Sequence, residues 1–395
     1  MLIAKSRKEV IMEKKYAAYV GSYNSTGNAL GITIYDIDMK HFGFEKRGEM
    51  EVSNSSYIIA AHSKKILYSI SDTGIHAFKI EETGDLRLFD FINIKGLRGC
   101  HLSTDIEDRH LFVSGYHDGK ITTILLCDED DPANGKEDGG FIGVVSSVYH
   151  KGLGSAVRTF RPHVTCTKRT PNGRFVMAVD SGQDFIKVYQ FDKVGKNLKF
   201  CDLIQFDAFS APKYISFTSD RKFMYVLTEW SNQIFVFSYD EDKVSSRPIF
   251  KQIQSVYVTG KQEKLESLDH TPIDDINNIG LKAIMRSSMT KRAATCMTFT
   301  QNEKYLLCGS EGDNTVSVYE RNPEDGKLRF LFVSPISGEY PKDIVIFPDD
   351  KHFVSVNQNS NELTFFKINY EKKIITMCSK TIPVSQPNCG VIVEV

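Results

Sequence analysis

The hydrophobic and polar positions along this chain fall into one pattern that recurs from near its start to its end. Residues 170–192 read TPNGRFVMAVDSGQDFIKVYQFD, and residues 218–240, 300–322 and 347–369 follow the same plan at the same length of 23 residues. Each copy runs from a polar turn and a basic residue into an aromatic-led strand, then through a polar loop into a strand that ends on an aromatic. Residues 104–126 fit the same length, 62–80 form a shortened copy and 15–38 an elongated one, which makes seven. Alternation with period two, together with β-branched and aromatic enrichment, reads as two strands per copy. A further strand follows the pair, as at 198–206, 328–333 and 374–380. Another precedes the turn, as at 163–169, 213–218 and 342–347.

Four strands per unit with no helix between them predict an all-β fold, a seven-bladed β-propeller of four-stranded antiparallel blades. Neighbouring copies start 48 residues apart (170 to 218) or 47 apart (300 to 347). The longer gaps, 66 residues from 104 to 170 and 82 from 218 to 300, predict insertions near 128–160 and 242–290. Both are polar and read as surface loops, where any helix should lie, with helix below about a tenth of the chain. The terminal stretch 387–395 looks like an innermost strand with nothing outside it, whereas the first copy lacks an innermost strand. The N- and C-terminal strands are therefore expected to share one blade and close the ring. On this reading residues 14–395 are a single propeller domain, and residues 1–13 are an N-terminal extension in which Met1 and Met12 are both candidate starts.

Composition narrows the function classes. The 49 basic and 50 acidic residues give a net charge of −1, which lacks the basic surplus of a nucleic-acid binder. The eight cysteines show no CxxC pair and no metal-ligand spacing. They read as reduced thiols of a cytoplasmic protein, several of them acting as small core hydrophobes, with no metal and no cofactor expected. The apolar run at 1–4 is too short for a signal peptide, and no later stretch approaches about 18 apolar residues, so no membrane partner is expected. The expected assembly is a monomer or weak homodimer.

In an antiparallel blade with strands a to d counted from the axis outward, the start of strand a and the end of strand b lie on the same face. The a-strand starts bring His101, His163, Lys213, Arg292, Lys342 and Asn388 to that mouth. The b-strand ends add Tyr23, Tyr116, Asp180, Glu229, Glu311 and Asn357. For any single histidine or lysine the bland reading is a solvated channel lining. Asp180 and Asn357, each followed by a polar loop, read more simply as turn formers. Bases and cations at equivalent positions around one mouth nonetheless point to an anionic ligand.

The segments Cys100-His-Leu-Ser-Thr-Asp105, Pro162-His-Val-Thr-Cys166, Thr170-Pro-Asn-Gly-Arg-Phe175 and Pro387-Asn-Cys389, with Tyr19-Val-Gly-Ser-Tyr23, resemble the seven-bladed lactonase family. That family includes the bacterial propeller-type 6-phosphogluconolactonases and the fungal carboxy-muconate lactonizing enzymes, and the resemblance spans about residues 16–395. It implies a catalytic cluster of His, Arg and Glu at one mouth. His101 matches the family's second-blade histidine, and His163 the first histidine of its Pro-His-x-His pattern, with Thr165 at the second. Glu229 matches the acid of an Asn-Glu pair in which Thr228 replaces Asn, and Lys213 and Lys342 stand where arginine commonly follows proline. At 293–298, where the family usually offers a glutamate and a base, this chain reads Ala-Ala-Thr-Cys-Met-Thr.

What the resemblance implies is a lactone hydrolase, 6-phosphogluconolactonase-like, acting on a sugar-derived or acidic lactone by metal-free water activation. His163 or Glu229 would be the base, and Lys213 or His101 the oxyanion donor. Lys342, Lys213 or Arg292 would hold the anionic group, with Tyr116 and Asn388 as further substrate contacts. The alternative is a propeller that has lost catalysis and binds a small anionic ligand or a protein partner. A WD-type scaffold is disfavoured, since Trp230 is the lone tryptophan and is not followed by Asp.

Overall fold

The computed structural model describes residues 14–25, 28–62, 65–153, 161–192, 197–240, 246–261 and 292–395. The alternating segments form seven antiparallel sheets, each with its strands in sequence order apart from the composite first blade. Blade 1 consists of Pro387–Glu394, Tyr16–Ser22, Gly31–Asp38 and Gly43–Glu51 from the axis outward. Blade 2 is Ile58–Ala60, Ile66–Ile70, Gly74–Ile80 and Leu86–Asn93, and blade 3 is His101–Thr104, His110–Gly115, Lys120–Leu126 and Phe141–Tyr149. Blade 4 is Val164–Arg169, Phe175–Asp180, Phe185–Asp192 and Asn197–Gln205. Blade 5 is Pro212–Phe217, Phe223–Thr228, Gln233–Asp240 and Ile249–Tyr257, and blade 6 is Ala293–Phe299, Tyr305–Glu311, Thr315–Arg321 and Leu328–Pro335. Blade 7 is Pro341–Ile346, His352–Asn357, Glu362–Asn369 and an outer strand split into Ile374–Met377 and Ile382–Pro383. Successive blades touch around the circle near the axis, and the innermost strand of blade 1 meets both blade 7 and blade 2, so the ring is closed.

Burial follows from this packing. The b strands Phe175–Asp180, Phe223–Thr228 and His352–Asn357 are buried at every residue, because a blade's two faces are both covered by neighbouring blades. Outer strands such as Asn197–Gln205 alternate with solvent instead. The apolar core is consequently divided among the blade interfaces, as where Tyr68 and Ile75 of blade 2 meet Leu102, Leu111 and Ile124 of blade 3. A hydroxyl latch recurs at these interfaces. Tyr19, Tyr68 and Tyr225 on b strands donate to the carbonyls of Gly84, Gly139 and Gly326 in the c–d turn of another blade, at 2.9, 2.7 and 2.5 Å. Gly326 has φ 72°, and a Cβ there would lie 2.3 Å from the Phe223 ring, so the turn can press against the latch only as glycine.

The regions expected to be surface insertions are in part structural. Phe141–Tyr149 and Ile249–Tyr257, inside 128–160 and 242–290, are the outermost strands of blades 3 and 5. The long spacing predicts loops, whereas each region also carries the fourth strand that its blade requires. Residues 154–160 and 262–291, together with 1–13, lie outside the described residues. Among the described residues there is no helix, and none that is long and apolar enough to cross a membrane.

Tyr225→Phe deletes one latch and leaves the Gly326 carbonyl buried without that donor. It should cost about 1–3 kcal/mol, read as a lower urea midpoint at unchanged m-value, and an unchanged midpoint would show that the latch is idle.

Candidate active site at one mouth of the ring

One backbone irregularity places the side chains at the mouth. In blade 5 the a–b ladder pairs Pro212 with Thr228 and Tyr214 with Leu227, so Lys213 is an extra residue with no partner. The same step leaves Thr165 unpaired in blade 4, Thr295 in blade 6, Lys342 in blade 7 and Asn388 in blade 1. A β-bulge re-aims the side chain it carries. All five bulged residues line a single cavity of about 1050 Å³ that follows the ring axis.

The walls of that cavity bring together Lys213, Glu229, Lys342, His101, Tyr116 and Asn388 among the residues singled out from sequence. Lys213 Nζ lies 3.4 Å from Glu229 Oε1, so an ammonium and a carboxylate from adjacent strands of one blade meet there. Lys342 Nζ donates to the Tyr340 hydroxyl at 3.1 Å. Asn388 is buried, its Oδ1 accepts from Gln358 Nε2 at 2.7 Å, and its Nδ2 has no partner among the described residues. His101 packs against the rings of Tyr57 and Tyr214, with centroids 4.8 and 5.7 Å away.

His163 and Arg292 are not on that wall. His163 is buried behind Tyr116, with the rings stacked at 4.1 Å, and its Nδ1 donates to the Tyr116 carbonyl at 2.6 Å. Asp180 fixes this unit: Oδ1 accepts from the backbone N–H of His163, Gly182 and Gln183, while Oδ2 pairs with the buried His150 at 2.6 Å. Asp180 thus closes the turn expected of it and also sets where His163, and through it Tyr116, can sit. Arg292 pairs with Asp313 through Nε, and its carbonyl accepts from Asn232 Nδ2 at 3.0 Å. Asn357 lies in a buried polar network with Ser355 and Thr364.

Comparison with known proteins bears directly on a ring of this design. The family model described as "Lactonase, 7-bladed beta-propeller" matches residues 17–392. This chain is a seven-bladed β-propeller lactonase-family protein. It is 26% identical over 381 residues to 6-phosphogluconolactonase of Bacillus subtilis, covering 95% of this chain and 97% of that one. Its fold is shared with the periplasmic gluconolactonase PpgL of Pseudomonas aeruginosa, at a TM-score of 0.78 and 20% identity over 96% of this chain and 99% of that one. A Lactobacillus plantarum structure matches at a TM-score of 0.77 and 20% identity, over 96% of this chain and 100% of that one.

The electrostatics of this family member's cavity follow from burial and from the cluster itself. Burial works against the Lys213 ammonium, but Glu229, with Tyr340 and Glu311, outweighs it and holds the lysine above its ordinary range. Burial, helped by Lys168, pushes His101 well below the usual imidazole value, so it sits neutral at pH 7. Burial also pushes the thiols of Cys100 and Cys296 up to about 12, which leaves them protonated and poor nucleophiles. Asp343, next to Lys342, is the cavity residue that strand alternation conceals. The bulge at Lys342 resets the alternation, and Asp343 lines the cavity, accepting from the Gly390 N–H at 3.0 Å.

Burial raises Asp343 to about 6 against an ordinary 3.8, although the Gly390 and Ile344 N–H groups oppose the rise. Its contribution to stability is therefore complete below the unfolded value and is lost as pH climbs through about 6. Asp343→Asn should gain on wild type by about 1–3 kcal/mol between pH 4 and pH 7, since Asp343 is only half-buried and solvent screening discounts the burial cost. Parallel melting curves across that range would contradict this.

Proposed function

We propose that this chain hydrolyses a lactone at the mouth formed by Lys213, Glu229, Lys342 and Asn388. The reading rests chiefly on the Lys213–Glu229 pair, held at 3.4 Å on the wall of the cavity that Lys342 and Asn388 also line. In the reaction Glu229 takes a proton from water, and the hydroxide so formed bonds to the lactone carbonyl carbon. The negative charge developing on the carbonyl oxygen is met by the Lys213 ammonium and the Asn388 amide N–H. As the intermediate collapses, the ring C–O bond breaks and the leaving alkoxide takes its proton back from Glu229, giving an open hydroxy acid. Lys342 holds the substrate's anionic group. Without arginine's planar fork, this site favours charge over bidentate geometry. His101 is a neutral wall residue, and His163 acts as a positioning residue through Tyr116.

The named activity of the Bacillus subtilis relative supports a sugar-derived lactone as substrate, with 6-phosphogluconolactone first in a test panel. The reading includes a place in carbohydrate metabolism and a cytoplasmic location, which eight free cysteines support. It also includes the protein working as a monomer or weak homodimer, without nucleic-acid or membrane partners. The alternative is a propeller that binds a small anionic ligand or a protein partner without catalysis. The cavity wall contributed by blade 6 at Thr295, Cys296, Met297 and Thr298 bears no charge.

The test is hydrolysis of a lactone panel, with the spontaneous ring opening subtracted. Glu229→Gln should lower kcat by about 10²–10⁴-fold. Lys342→Met should raise KM for a phosphorylated lactone about tenfold at nearly constant kcat, as loss of ground-state anion binding requires. No rate above the spontaneous one on any lactone would overturn catalysis in favour of binding alone.

A further inference from the structure

The ring has a second mouth, and the chemistry there is separate from the first. The a–b turns of blades 3, 4 and 5 surround a cavity of about 830 Å³ on the face opposite Lys213 and Glu229. Lys168, near the end of the innermost strand of blade 4, lines this cavity and is absent from the wall of the other one. Its Nζ donates to the Tyr214 hydroxyl at 2.9 Å and lies 4.5 Å from the centre of that ring. Among the described residues a phenol and its π face are the partners of this cation, with no carboxylate beside them. Burial works against its charge, yet Tyr214 and Cys166 outweigh burial and keep Lys168 above the ordinary lysine range.

The charges around this mouth do not cancel. Asp105 is spent on Arg169, His110 and the Arg109 N–H, and Glu303 on Arg321 and the Ser219 N–H. Glu107 faces the same Arg169 at 3.9 Å. Lys168 inside and Arg221 on the exposed rim form no ion pair among the described residues. His101, buried between the two cavities and lining both, has an Nδ1 with no hydrogen-bond partner among the described residues. Two cations without an ion pair among the described residues make a cavity whose unmet demand is for a compact anion with several acceptor oxygens.

We propose that this opposite mouth is a second ligand site, taking a small dianion of the phosphate-monoester class on Lys168 and Arg221. The dianion neutralises both cations, and its oxygens accept from the two Nζ hydrogens that Tyr214 leaves over. The site stands whether or not the first mouth is catalytic. It shares His101, Tyr57 and Tyr214 with the first cavity, so an anion drawing Lys168 away from Tyr214 acts on a side chain that lines both.

The experiment is isothermal titration of the full chain with inorganic phosphate and, separately, with glycerol phosphate, joined to crystals soaked in each. The two titrations distinguish free phosphate from a phosphate ester as the preferred form. Difference density is expected beside Lys168. Lys168→Met should weaken the binding about tenfold or more, the effect of losing one charge-assisted contact, with an unchanged CD spectrum. Arg221→Gln, an exposed change that cannot unfold the ring, should weaken it about three- to tenfold. Lys342→Met, which alters the other mouth, should retain it. The proposal is overturned if wild type binds neither probe at about 10 mM. It is equally overturned if Arg221→Gln and Lys168→Met bind like wild type, or if density appears solely beside Lys213 and Lys342. Should Lys168→Met not fold, the Arg221→Gln titration and the density decide.

Discussion

Each blade of this ring buries both of its faces against neighbours, so the architecture cannot tolerate an end. That constraint falls on one pairing, Pro387–Glu394 against Tyr16–Ser22, where the last strand of the chain fills the axial position of the first blade. The ladder runs from Tyr16 opposite Glu394 to Ser22 opposite Pro387. Without it, the Ala17, Tyr19 and Ile58 cluster on one side and the Val20, Tyr35 and Phe347 cluster on the other would each lose a wall. Chain closure and core completion are the same event here, and the tyrosine–glycine latches tighten interfaces that already exist.

The mouth chemistry depends on a smaller device repeated in the same ring. A strand that alternates regularly cannot point two successive side chains at the axis. The extra residue in the a–b ladder of five blades breaks that rule at one level of the ring and leaves Thr165, Lys213, Thr295, Lys342 and Asn388 on a common wall. Each bulge disturbs the a–b ladder at one step and leaves the rest of that ladder paired. The result is a scaffold in which chemistry changes by substitution at the bulge while the backbone is retained.

Electrostatically the two mouths are unlike. At the first, Lys213 is matched to Glu229, and Asp343 lies near Lys342, so cations and carboxylates meet around a space large enough for a sugar acid. At the second, the carboxylates are consumed by arginines that pin the a–b turns, and Lys168 is left with a phenol. Between them stand Tyr57, His101 and Tyr214, and the neutral state of His101 means that this partition adds no charge to either side.

The amino-acid sequence alone determined the repeat, most of the strands and the composite first blade. All of these are written in local alternation, turn chemistry and spacing. Only the tertiary structure decided four other matters. Phe141–Tyr149 and Ile249–Tyr257 are blade strands because a neighbouring strand pairs with them, while their half-exposed pattern and polar flanks resemble loop. Asp343 faces the cavity because a bulge reverses the alternation that would have turned it away. His163 backs Tyr116 because Asp180 holds its backbone from the next strand. Lys168 meets Tyr214, 46 positions away on the next blade, because the ring sets their two strands side by side. Local patterns record how each strand satisfies itself, whereas a side chain's partner across a blade interface is fixed only when the ring closes.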